Sequence, residues 1–164
     1  MPQKGGILTA SIKKIVLLEI MWLVCCFIVA TFVMIPIYLH AQHFIFLIDN
    51  IVFIVAFLTY TRLMFFVSSS ILSIHPGVKL FFVATALPFT FILINRFNNF
   101  RLFIDNYGTA PFFGHLEDAL QVSNDVYLKN EMTLFGVGAI VASVVFPVFL
   151  VISIWLFKNR GRHI

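Results

Sequence analysis

The chain has 164 residues, 61% of them hydrophobic and only 11% charged, with a formal net charge of +4. Soluble domains carry about 45–50% apolar and about 25% charged residues, so this composition excludes an ordinary water-soluble fold and indicates a polytopic membrane protein. The basic residues flank apolar runs and form no patch interleaved with aromatics, which argues against a nucleic-acid surface and assigns the basic balance to membrane topology.

A membrane helix needs about 20 largely apolar residues. Four stretches meet this need, and they predict an all-α membrane protein: a four-transmembrane-helix bundle forming a single integral membrane domain over 1–164. The first covers about 15–39. It is longer than the ~7–15-residue apolar core of a secretory leader, and no small-residue cleavage site follows, so it reads as a retained helix. Glu19 and Trp22 lie in its early part, and Pro36 predicts a bend near its end. Cys25 and Cys26 are adjacent, a spacing that rarely bridges, and read as buried structural thiols.

Only His40-Ala41-Gln42-His43 separates this helix from the second, at about 44–67, so the two are expected as antiparallel neighbours. The second helix carries Asp49 near one end and Arg62 near the other. The two positions are 13 residues apart, a rise of about 20 Å on a helix, so the two charges cannot touch. That rise is also shorter than the ~30 Å hydrocarbon core, so at least one of them lies below the headgroups. Glu19 and Arg62 fall at one depth in adjacent helices, which predicts an ion pair whose main value is to match helix faces, since desolvation makes such pairs weak stabilisers. The competing reading has Arg62 reaching to lipid phosphate and Glu19 meeting Lys13 or Lys14. Asp49 is too short to reach far, and its candidate partners are Arg96, Arg101, Asn95 and the histidines of the first turn. A membrane-embedded carboxylate raises the question of a functional site. An inter-helix hydrogen bond or salt bridge is the more ordinary role, and it is the one expected here.

The third helix is expected at about 78–95, with Pro88 inside it, after a serine-rich connection that begins at Ser68. A long segment, 96–131, follows. Phe97, Phe100, Ile104 and Tyr107 recur there at helical spacing, and Gly108 is a plausible stop. Beyond Pro111 and Gly114, a second helical face is expected from Leu116, Ala119, Leu120 and Tyr127. Segments this long are usually functional or disordered. The aromatics favour packing onto the bundle or onto a partner. The fourth helix is expected at about 132–157, with Pro147 inside it. Its small residues Gly136, Gly138, Ala139, Ala142 and Ser143 form the spacings Gly138-x-x-x-Ala142 and Ala139-x-x-x-Ser143, which let another helix approach closely. Contact within the bundle is the first expectation for this stripe and docking on another subunit the second. Tyr127 and Trp155 read as interfacial anchors near opposite ends of this helix.

With four crossings the termini share a side, and that side holds eight Lys and Arg against three (Arg96, Arg101 and Lys129) on the other. The positive-inside bias then puts both termini in the cytoplasm, within the cytoplasmic (inner) membrane, and makes 96–131 an extracytoplasmic helical connection. Asp105, Glu117, Asp118, Asp125 and Glu131 count as charges of that connection.

His40, His43 and His115 are weak candidates for a divalent metal, because their spacing is no recognised ligand set; interfacial polar residues are the simpler reading. No histidine is centred in a span as a haem ligand would be, and no nucleotide-binding or hydrolase motif occurs. Neither a cofactor nor an enzymatic activity is expected. Two function classes remain. One is a small non-catalytic accessory or structural subunit of a multi-subunit cytoplasmic-membrane complex, with membrane lipid and other integral membrane subunits as partners and no nucleic acid or soluble substrate. The other is a small oligomeric transporter, channel or membrane sensor. Thr85, Thr90 and Ser143 are the main mid-span polar groups, which is thin for a transport path and favours the first class.

Overall fold

The computed structural model describes the backbone of residues 4–66, 70, 72 and 76–160, and the side chains of 12–66, 70, 72 and 77–155. Most of the serine-rich connection, residues 161–164 and the side chains of Lys4, Lys158 and Arg160 lie outside the described residues. Every regular element among the described residues is helical: α1 (Lys4–His40), α2 (Leu47–Phe65), α3 (Pro76–Tyr107), α4 (Ala110–Phe113) and α5 (Asp118–Arg160). α1, α2, α3 and α5 each contain a stretch long and apolar enough to cross a membrane.

The expected connection 96–131 is largely the continuation of two helices. α3 has 32 residues and α5 has 43. At 1.5 Å per residue these are roughly 48 and 64 Å long, well beyond a ~30 Å hydrocarbon core. Their extra turns stand together at one end of the bundle, where α4 joins them. Gly108 ends α3 at φ +66, a left-handed conformation that glycine adopts without a Cβ penalty, and its N–H donates to the Ile104 carbonyl at 2.9 Å.

α2 and α5 form the centre; α3 packs on α5, and α1 packs chiefly on α2. α1 turns a narrow stripe inward, Glu19, Trp22, Cys26, Ala30, Met34 and Ile37, at steps of three or four residues. The rest of α1 is apolar and exposed, including Leu17, Ile20, Phe32 and Leu39. Such a face suits acyl chains, since lipid tails are as apolar as the side chains themselves.

At the α4 end the core is aromatic. Phe46 meets Phe100 and Phe103 edge-on, each at 5.4 Å between centroids. Phe112 of α4 stacks on Phe103 at 5.3 Å and takes Phe44 edge-on at 5.2 Å. Each such pair adds about 0.5–1.5 kcal/mol beyond its area burial. The Gln42 N–H donates to the Phe112 carbonyl at 3.0 Å, which ties the first turn to α4.

Several side chains face otherwise than the sequence reading expects. Cys25, read as a buried thiol, is exposed, while Cys26 is buried on the inner stripe of α1. Ala119 and Leu120 are exposed and Leu116 is half-buried, whereas Asn124, Leu128, Glu131 and Met132 face inward. The reason is continuity: α5 is one unbroken helix, so its rotation at this end is fixed by Ala139, Phe146 and Leu150 farther along, all of which are fully buried. Tyr107, expected on the inner face of α3, is likewise exposed.

The small residues of α5 admit bulky neighbours from within the bundle. A Cβ on Gly136 would lie 2.5 Å from Cδ2 of Phe97, and one on Gly138 would lie 2.8 Å from Cδ2 of Phe57. Ala139, Ala142 and Ser143 are buried along the same stripe. Gly136→Val should therefore push Phe97 out of its place and lower stability by about 1–3 kcal/mol. Thermal unfolding of the purified protein in mild detergent measures this; an unchanged Tm would mean that Phe97 shifts at no cost.

Candidate functional site

The polar side chains between helices occur as discrete contacts at different depths. At the end opposite α4, the Lys79 ammonium donates to Ser153 Oγ at 2.9 Å, linking α3 to α5. Deeper, the Arg62 guanidinium of α2 donates to the Glu19 carboxylate of α1. The Arg62 side chain is 6% exposed and that of Glu19 23% exposed. The Trp22 ring, one turn along α1 from Glu19, lies 5.3 Å from the guanidinium carbon, a cation–π distance. Both members of the pair expected from depth alone are thus in contact. Arg62 points sideways onto α1 and is nearly covered, rather than reaching toward the bundle end.

In mid-bundle, the single proton of the Thr90 hydroxyl of α3 is shared between Ser143 Oγ of α5 at 2.9 Å and the Ala86 carbonyl of its own helix at 2.8 Å, and Ser143 donates to its own Ile140 carbonyl. Such self-bonded Ser and Thr are satisfied with or without a partner.

Toward the α4 end three further contacts form. Asp49 lies 3.7 Å from the Arg96 guanidinium, and the Arg96 side chain is 58% exposed. Arg96 is one of the partners considered for Asp49, and the wide, half-solvated geometry makes this a loose pair. Asn50, next in the chain, points the other way. Its Nδ2 donates to Glu131 Oε2 at 2.7 Å, and the two residues are 0% and 6% exposed. Beyond them, Thr109 and Lys129 both donate to Asp125, at 2.7 and 2.8 Å.

Asn50 and Glu131 are the residues that the sequence reading missed. Glu131 was expected as a charge of the outer connection; the structure corrects this and buries it between α2 and α5. A signal did exist. Leu128, Met132, Phe135, Ala139 and Ser143 repeat at steps of three or four, and Glu131 falls on that stripe. Tyr127 also departs from expectation. It turns inward rather than standing on the surface: it is half-buried, and its hydroxyl donates to the Val33 carbonyl of α1 at 2.7 Å.

The histidines are not brought together. His40 Nδ1 donates back to the Pro36 carbonyl of its own helix at 2.9 Å. His43, at φ 47, and His115 are exposed. Among the described residues no three His, Cys, Asp or Glu side chains are placed to hold a metal ion.

The chain matches no protein-family model, no curated protein and no solved structure.

Two substitutions separate the tight pair from the loose one. Arg62→Ala should lower stability by about 3 kcal/mol, because it removes the guanidinium that the Glu19 carboxylate accepts from and the cation over the Trp22 ring. The charge-swapped double variant Glu19→Arg, Arg62→Glu should recover part of that loss. Asp49→Asn should stay within about 1 kcal/mol of the parent, since its partner is solvated. Unfolding in detergent, with folded yield as a cross-check, reads all three; a double variant no better than Arg62→Ala would show that the pair does not hold α1 to α2.

Proposed function

We propose that the chain is a small non-catalytic accessory or structural subunit of a multi-subunit membrane complex. The observation that carries this reading is the use made of the interior polar groups. Glu19 is matched to Arg62, Thr90 to Ser143, Lys79 to Ser153 and Asn50 to Glu131, each across two helices. Polar groups spent this way hold helices together, as they commonly do in membranes. A conducting or transporting protein needs polar groups that stay available along a lane from one side to the other.

The outward faces supply the other half of the argument. Beside the buried part of the α5 stripe, an open groove between α2 and α5 is lined by Phe57, Thr61, Met64, Val137, Gly138 and Val141. Its lining is almost wholly apolar, a surface that a transmembrane helix of another subunit would cover by close packing. Lipid covers the remaining faces of α1 and α3.

The excess of Lys and Arg on the side of the termini supports placing both in the cytoplasm, with the α4 end outside, in the inner membrane. Extraction in mild detergent followed by native mass spectrometry should find the chain in stoichiometric association with other membrane proteins. A monomer or homo-oligomer whose melting responds to a ligand would overturn this reading in favour of a transporter, channel or sensor. A reporter fused after Ile164 should be active in the cytoplasm, and a cysteine placed near Gly108 should react with an impermeant reagent added from outside.

A further inference from the structure

The buried Asn50–Glu131 contact has an unfilled place. Nδ2 of Asn50 donates to Oε2 of Glu131, but Asn50 Oδ1 and Glu131 Oε1 are both buried and have no hydrogen-bond partner among the described residues. An amide carries donors and an acceptor, while an ionised carboxylate only accepts. With Glu131 ionised, the contact would therefore leave two acceptors unsatisfied and a bare negative charge among Phe46, Phe53, Leu128 and Met132, all buried on the neighbouring turns. Either feature is costly in an apolar interior.

The surrounding charges do not relieve it. On α2, Asp49 faces away to Arg96 of α3, whose guanidinium is mostly exposed. On α5, Lys129 is taken by Asp125, and Tyr127, one turn before Glu131, gives its hydroxyl proton to Val33 of α1. Glu19 shows the contrast: the same side chain, elsewhere in this bundle, is met by a guanidinium. A metal ion is a poor fit as well, because two oxygens fall far short of the roughly six that a hard cation collects.

We propose that Asn50 and Glu131 form a proton-binding site: Glu131 holds a proton on Oε1 and donates it to Asn50 Oδ1, joining acid and amide by two hydrogen bonds. One proton satisfies both orphaned oxygens and removes the charge. The contact between α2 and α5 then depends on that proton, since its loss would set two acceptors against each other inside the core.

Infrared spectroscopy of the full chain in mild detergent at neutral pH tests this directly. The chain has three glutamates, Glu19, Glu117 and Glu131, so 13C-glutamate labelling separates them from the aspartates. A carboxylic-acid C=O band that moves with the label and shifts in heavy water is expected, and Glu131→Gln should abolish it. If Glu131→Gln does not accumulate, the double variant Glu19→Gln, Glu117→Gln leaves Glu131 as the remaining glutamate and should keep the band. A spectrum in which every glutamate is a carboxylate, or a band that survives Glu131→Gln, overturns the proposal.

Discussion

A polar side chain inside an apolar bundle has to find its partner on a neighbouring helix, because lipid offers none. That requirement orients this fold. α1 illustrates it most plainly. Most of its circumference is apolar, so hydrophobic packing alone gives it little reason to prefer one rotation over another. Two contacts remove the freedom. Glu19 must meet Arg62 of α2 at one end, and the Val33 carbonyl beside Pro36 takes the Tyr127 hydroxyl of α5 toward the other. Cys26, Ala30 and Met34 are buried because they lie on the line between these two points.

Both ends of the bundle combine polar contacts with ring packing. Away from α4, Lys79 meets Ser153, Arg62 meets Glu19 and the Trp22 ring, and Tyr60 and Phe82 pack on Phe146. At the α4 end, Asp49 with Arg96, Asn50 with Glu131 and Asp125 with Thr109 and Lys129 stand near the rings of Phe44, Phe46, Phe100, Phe103 and Phe112, which lock the short first turn to the extended end of α3 and to α4. The Asn50–Glu131 contact lies beside this aromatic cluster, where surrounding water is scarce and an unmatched charge is least tolerable. A site of this kind makes helix packing sensitive to a single proton without requiring any path for it through the bundle.

Much of the helical architecture was legible in the residues. Apolar runs of sufficient length mark four helices, Gly108 marks the end of α3, and Glu19 and Arg62 can be matched by counting rise along two helices joined by a short turn. Gly136 and Gly138 signal close approach, although nothing in their spacing says that the approaching groups are the rings of Phe97 and Phe57. Segment 96–131 was harder. The helical spacing of Phe97, Phe100 and Ile104 up to Gly108 carries α3 into it, but mixed polarity hides the fact that α5 runs unbroken from Asp118, and a charge count treats Glu131 as a loop residue when the register of α5 turns it inward. Asp49 offered several partners that sequence distance could not rank.

Length, hydropathy and turn chemistry therefore determined that this chain forms long apolar helices and that Glu19 and Arg62 fall at one level of adjacent helices, because those properties are local and repeat along the chain. The tertiary structure alone decided that Asn50 faces Glu131 across 81 positions of sequence, that Arg96 rather than Arg101 approaches Asp49, and that Tyr127 turns in to α1. Those outcomes depend on how each helix is rotated about its axis. Rotation is settled jointly by every residue on the buried face, and no single stretch of sequence carries that information.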